Sequence, residues 1–313
     1  MVQNDEKVYG LSKARLEAIF DEGTFVELGA YTKRPDSQKA FESVVCGYGA
    51  VDGVLAFAFV QDSGRTKGAF GERHAAKIAD MYSLALKNGA PVIGVFDSAG
   101  AVVYDGASAL AAYGKLMKTI SAASGIIPQI AVIDGVCGGS SAVAASMFDF
   151  AVTVKGKSEF YVNPPFVVGK EAGSAEFASV SGISAYEAED EAQGFAFVRK
   201  LLPNLPQNNS DSAYVETSDS MNRTLTFDPS DYTAEALVKE LADGGEFARL
   251  YAAYTDKLVL GFASLGGVTS GIIACEPGCG GVLDIKAARV AAKLVTFCDS
   301  FRIPVITLVD SVG

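Results

Sequence analysis

The sequence predicts an α/β protein of repeated β-β-α units, written once in full and begun a second time. Three observations carry this. Short apolar runs of the buried, parallel-strand type alternate with longer stretches of helical period, the pattern of β-α-β crossovers. The stretch "APVIGVFDSAG" has a near copy in "IPVITLVDSVG" at the end of the chain, and Pro91–Gly100 and Pro304–Gly313 agree at six of ten positions. The segments leading into each copy also come in the same order, which makes an internal duplication the economical reading.

Residues 11–22, "LSKARLEAIFDE", have a Ser to cap a helix and apolar residues at helical spacing. "CGYGAVDGVLAFAFVQD" reads as two strands around an Asp52-Gly53 turn. "GERHAAKIADMYSLALKNG" is a helix closed by Asn88-Gly89, with Pro91 just beyond. "PVIGVFDSAG" follows as a buried strand ending in small residues. "GASALAAYGKLMKTISAASG" predicts a helix, "IPQIAVIDG" a buried strand, "GGSSAVAASMF" a helix start and "DFAVTVK" a strand. Residues 201–223 are rich in Pro, Asn and Ser without a period, so they read as a linker or surface loop. Beyond it "ALVKELADGGEFARLYAAY", "LGGVTSGIIACEP" and "DIKAARVAAKLVTFCDSFR" restart the order. The expected units are therefore 1–225 and 226–313, the second an incomplete repeat.

With 313 residues, 49% hydrophobic and 20% charged, the chain has material for a large core. A net charge of −11 without a basic cluster argues against nucleic-acid binding. The five cysteines are scattered and odd in number, which fits a reducing cytoplasm without a disulfide framework. "CEPGC" lacks a second pair to complete a zinc site, so no metal is expected. The N-terminus is polar and amphipathic rather than signal-like, and no apolar run is long enough to span a membrane.

The single histidine, His74, leaves no material for a Ser-His-Asp triad, and its place early in a helix suggests a structural or surface role. Asp97 and Asp310 hold equivalent places at strand ends, which favours a role in the fold. "GYGAVDG" (47–53) lies inside a hairpin, not between a strand and a helix, and so does not fit a dinucleotide loop. What remains is backbone chemistry. "DSAGA" (97–101) puts small residues where a strand ends, and "DGVCGGSSAVAA" (134–145) puts them where a helix begins. Such a helix start offers unpaired N–H groups, and two donors aimed at one spot make an oxyanion hole. Spacing alone leaves a second reading open, in which Gly138 and Gly139 only permit tight helix–strand packing.

The stretches "GAPVIGVFDSAGA", "ASGIIPQIAVIDGVCGGSSA", "DFAVTVKGKSEFYVNPP", "DPSD" at 228–231, "LVLGFASLGG" and "AAKLVTFCDSFRIPVITLVDSVG" run in one order over nearly the whole chain. In this the sequence resembles the carboxyltransferase subunits of biotin-dependent acyl-CoA carboxylases and decarboxylases, with the methylmalonyl-CoA and glutaconyl-CoA decarboxylase chains the nearest type. The resemblance implies a crotonase-like (ClpP/crotonase) superhelix and carboxyl transfer between biotin and an acyl-CoA. It implies an acyl-CoA site in the first lobe, with N–H donors at Gly139 and Ser140 and with Ala99, Gly100, Ala101 and Gly138 lining it. Biotin would arrive on a carboxyl carrier protein and occupy a second hole in the second lobe. Biotin carboxylase or membrane decarboxylase subunits and a homo-oligomer are the further partners it implies. The chain departs from the pattern at Ser140, where the family has glycine, and at Val102, where "DSGGAR" has arginine. It also stops at Gly313, short of the glycine loop expected to cradle biotin, so weak transfer from biotin is expected. A non-catalytic acyl-CoA-binding or assembly subunit is the alternative. A crotonase-type hydratase or thioesterase is disfavoured because no Glu closely follows the glycine helix. The strand "PVITLV" and the helix "IKAARVAAKLV" would lack partners within half a repeat, a further reason to expect oligomers.

Overall fold

The structure, a computed structural model, describes residues 11–33, 42–212, 214, 216–220, 222–277, 282–311 and 313. The first half is α1 (Ser12–Ile19), β1 (Val26–Leu28), β2 (Val44–Val51), β3 (Val54–Gln61), α2 (Glu72–Asn88), β4 (Val92–Ser98), α3 (Ala107–Ala123) and β5 (Gln129–Gly138). It continues through α4 (Ser140–Ser146), β6 (Phe150–Val154), β7 (Glu159–Tyr161), α5 (Pro165–Val168), α6 (Ala175–Val180), β8 (Tyr186–Ala188) and α7 (Glu191–Leu201). After residues 205–233, in which no helix or strand is described, come α8 (Ala234–Leu241), β9 (Phe247–Leu250), β10 (Leu258–Leu265), β11 (Val268–Cys275), α9 (Ile285–Ser300) and β12 (Val305–Leu308).

The larger sheet runs β1-β2-β3-β4-β5-β6-β8, with β7 paired to the far end of β5. β1, β2 and β3 are antiparallel, and from β3 onward neighbours are parallel. The smaller sheet, β9-β10-β11-β12, repeats the same scheme, two antiparallel pairings and then a parallel one. Strand alternation sorts the core onto the two faces of the larger sheet. Cys46, Phe57, Phe59, Val92 and Phe96 face α2, α3 and α4, where Ile78, Met81, Tyr82, Leu116 and Ile120 cover them. Val45, Ala58, Val60, Ile93 and Val95 face α1, α7, the smaller sheet and α9.

Both predicted glycine turns stand: Asp52 and Gly53 have φ of 48° and 79°, and Gly89 closes α2 in the left-handed region. Three local readings change. Ser12 is not a cap but the first residue of α1, fully buried, and Leu11 precedes it without a side-chain cap. β5 does not end at Gly135 but runs to Gly138, because Gly135 has no Cβ to strike Asp97 Oδ1, which would lie 2.1 Å away. α9 does not lack a partner: Phe297 meets Phe150 of the larger sheet at 4.8 Å and Phe262 at 5.7 Å between ring centroids. β12 does keep exposed residues, Val305 among them. The segment after α7 is tied to the first half, since Asn208 Nδ2 donates to the Gly89 carbonyl at 2.9 Å and Asn209 Nδ2 to that of Gly125 at 3.0 Å. Among the described residues no helix is long and apolar enough to cross a membrane.

Candidate functional site

The candidate site is built over the ends of β3, β4 and β5, and a buried arginine of α1 sets those ends in place. Arg15 Nη2 lies 2.7 Å from Asp97 Oδ2 of β4, and Nε lies 2.6 Å from Asp134 Oδ2 of β5. Its Nη1 donates to the Gln61 carbonyl of β3 at 2.8 Å. Arg15, Asp97 and Asp134 are only 3%, 5% and 0% exposed, so each charge needs this pairing to be tolerable. Lys157 Nζ adds a contact to Asp134 at 2.7 Å, and Ser63 Oγ donates to Asp97 Oδ2 at 2.6 Å. Burial pushes the Asp134 carboxyl up, while Arg15 and Lys157 pull against it. Asp97 thus has the structural role expected of it. Arg15 escaped the sequence reading, although a signal existed. It is a charge at a buried position, 12, 15, 16 and 19, of a helix whose other buried side chains are Ser, Leu and Ile.

Ser98 pairs with Cys137 across β4 and β5, so the loops that follow emerge side by side. In the first, the Ala99 N–H donates to the Lys67 carbonyl at 2.9 Å and the Gly100 N–H to Ser98 Oγ at 3.2 Å. Gly100 and Val102 flank a bridge to Phe70, whose N–H reaches the Gly100 carbonyl at 2.8 Å. Among the described residues no acceptor meets the Ala101 N–H, and Ala99 and Ala101 are exposed. In the second loop Gly139 takes φ 59° and ψ −123°, a conformation open to glycine, and leads straight into α4. Ser140 opens that helix, so its N–H has no preceding helical carbonyl to donate to.

The structure therefore brings Ala99, Gly100, Ala101, Gly138, Gly139 and Ser140 together but divides their roles. The expected donor at Gly139 is engaged, since its N–H reaches the Tyr161 carbonyl of β7 at 2.8 Å. Gly138 serves packing, as a Cβ there would lie 2.7 Å from the Tyr161 ring. Among the described residues, the amides of Ala101 and Ser140 meet no acceptor.

The other candidates fall to structure. His74 is fully buried, and that burial lowers its pKa while Glu42 acts to raise it; its ring lies within 3.3 Å of Gln61 Nε2 and 3.4 Å of Ser43 Oγ. Gly47 and Gly49 of the hairpin make room for the rings of Phe25 and Phe20. Cys275 is buried, and its companion Cys279 lies outside the described residues. Among the described residues no cluster of three or more His, Cys, Asp or Glu side chains could hold a metal.

Residues 9–313 match the family model of the carboxyl transferase domain. The α subunit of methylmalonyl-CoA decarboxylase from Veillonella parvula is 36% identical over 96% of this chain and 65% of its own length. The propionyl-CoA carboxylase β chain of Roseobacter denitrificans is 33% identical over 96% of this chain and 64% of its own. Among solved structures, a hexameric transcarboxylase 12S with methylmalonyl-CoA and methylmalonic acid bound superposes with a TM-score of 0.89 at 32% identity, over 96% of this chain and 63% of that one. The chain thus spans a little under two thirds of the length of the relatives it matches, and its repeated β-β-α architecture is crotonase-like, as the sequence led one to expect. It belongs to the carboxyl transferase domain family.

Proposed function

From that membership we propose that this chain forms the acyl-CoA-binding lobe of an enzyme that moves a carboxyl group between biotin and an acyl-CoA of the malonyl-CoA, methylmalonyl-CoA or glutaconyl-CoA class. One observation carries the reading: the unengaged amides of Ala101 and Ser140 stand on neighbouring loops at the ends of adjacent parallel strands. Two main-chain donors on a thioester oxygen would stabilise the enolate left when the carboxyl group departs, and they need no reorganisation to do so. The family's transfer relies on such polarisation at both carbonyls rather than on a side-chain acid or base, which suits a chain whose single histidine is buried. Biotin would come on a carrier protein, and its own hole would belong to the second lobe. Carboxylase or membrane decarboxylase subunits and a homo-oligomer complete the proposed setting, with the cytoplasm as its compartment.

The engaged Gly139 amide favours a second reading, in which the chain holds acyl-CoA without turning it over. Calorimetry with malonyl-CoA tests the binding common to both. Ser140→Ala keeps the amide and should leave affinity nearly unchanged, whereas Ser140→Pro removes it and should weaken binding. Equal affinity in the proline variant and the parent would overturn the site. Decarboxylation of malonyl-CoA or methylmalonyl-CoA in the presence of biotin then separates the two readings, since the binding-only protein would give none.

A further inference from the structure

Tyr113, in the middle of α3, joins the two loops from behind. Its hydroxyl lies 3.0 Å from Ser141 Oγ, in the first turn of α4 and directly after the Ser140 amide. Its ring stacks on Phe70, with centroids 4.3 Å apart and planes 22° from parallel. Phe70 in turn holds the first loop by its backbone. Its N–H donates to the Gly100 carbonyl at 2.8 Å, and its carbonyl accepts from the Val102 N–H at 2.9 Å, which brackets Ala101. Every side chain of this chain of contacts is buried: Phe70 is 0%, Tyr113 5% and Ser141 1% exposed. A stacked ring and a buried hydrogen bond therefore link the amide of Ala101 to that of Ser140.

We infer that Tyr113 is a positioning residue: through Phe70 and Ser141 it sets the separation and aim of the Ala101 and Ser140 amides on the thioester oxygen. The inference rests on the proposed acyl-CoA site and adds to it a residue that does not touch the ligand. A rigid link of this kind matters because an oxyanion hole works only when its donors are held where charge develops. The hydroxyl pair, not the ring, carries the link to α4, and so the link can be cut without opening a cavity.

The test compares malonyl-CoA with free CoA, which has no thioester carbonyl, by calorimetry on the 313-residue chain. Tyr113→Phe should lower affinity for malonyl-CoA about two- to tenfold, the scale of one neutral hydrogen bond, and leave affinity for free CoA unchanged. Ser141→Ala should produce the same selective loss without leaving a serine hydroxyl unpaired. The double variant should lose no more than either single one, since all three break one link. A Tyr113→Phe variant that keeps the parent's preference for malonyl-CoA over CoA overturns the positioning role, as do equal losses for both ligands or additive losses in the double variant. A parent with no preference for malonyl-CoA over CoA overturns the acyl-CoA site itself, and the positioning role with it.

Discussion

In the first half of the molecule, α1 ends two residues before Asp21, whose carboxylate accepts from the Asp52 and Gly53 amides at the β2–β3 turn, at 3.1 and 2.9 Å. In the second half, α8 ends two residues before Asp243, which accepts from Gly266 and Gly267 at the β10–β11 turn, at 2.9 and 2.7 Å. The Pro91 carbonyl accepts from Phe57 at 2.9 Å and the Pro304 carbonyl from Gly271 at 2.8 Å, each joining a hairpin to its parallel neighbour. The backbone scheme is thus the same in both halves. Six residues before the shared aspartate, however, the first half has Arg15 and the second has Leu237. Arg15 fills the strand ends of the first sheet with a buried charge network. Leu237 lines a hollow of about 420 Å³ with Tyr232, Cys275 and Asp310, and there Asp310 accepts from the Tyr232 hydroxyl at 3.0 Å. Turn caps and proline carbonyls suffice for the unit. The clamp is added where two loops must be held side by side.

The largest effect should come from breaking the clamp. Arg15→Met leaves Asp97 buried without its cation and Asp134 with Lys157 alone, a loss of about 3–5 kcal/mol in urea denaturation. Leu237→Met, the matching change in the second half, should cost less than about 1.5 kcal/mol. Equal costs would dissolve the distinction between the halves.

The second effect tests the junction between the halves. Burial pushes the Asp149 carboxyl, beside the start of β5, up to about 7, although the Gln129 amide and Lys293 of α9 act to lower it. A carboxyl with a raised folded pKa binds its proton more tightly in the folded state. Its contribution is therefore full below the unfolded value near 4 and lost as pH rises to about 7. Asp149→Asn should flatten stability across that window and leave the variant more stable than the parent at pH 8, read as denaturation midpoints against pH. An unchanged slope would remove Asp149 as its source.

The third concerns one turn in its two versions. Gly89 closes α2 at φ 60°, and Arg302 holds the matching place after α9 at φ 56°. In both, the amide of the next residue, Ala90 or Ile303, returns to the helix, at the carbonyl of Ala85 or Cys298. Gly89→Ala should cost about 1–2 kcal/mol through its left-handed backbone. It would also press on Asn208 Nδ2, which would lie 2.7 Å from the new Cβ. Arg302→Gly should do the reverse and raise stability by about 0.5–1 kcal/mol. Thermal unfolding of both variants checks the sign, and a destabilised Arg302→Gly would break the equivalence of the two turns.

Where the sequence read well, the signal was local. The Asp52-Gly53 turn, the Asn88-Gly89 stop and the Ala-rich helices are properties of a few consecutive residues, because φ > 0 and helical period are dictated by the chain itself. The duplication was legible for the same reason, as was the pair of small-residue loops at 97–101 and 134–145. β7 and β8, three residues each, carry no period to read, and they form only because β5 and β6 offer open edges.

The sequence by itself determined the β-β-α order, its repetition and the residue types at the candidate site, since these follow from hydrophobic spacing and from what glycine and proline permit. Tertiary structure alone decided which amides are free. The Tyr161 carbonyl, 22 residues downstream, takes the Gly139 N–H and leaves the Ser140 N–H open. It likewise decided that Arg15 lies under both loops and that Tyr113 meets Ser141. Hydrogen bonds between residues so far apart depend on strand register and on packing across the sheet, and neither is written in any one stretch of the chain.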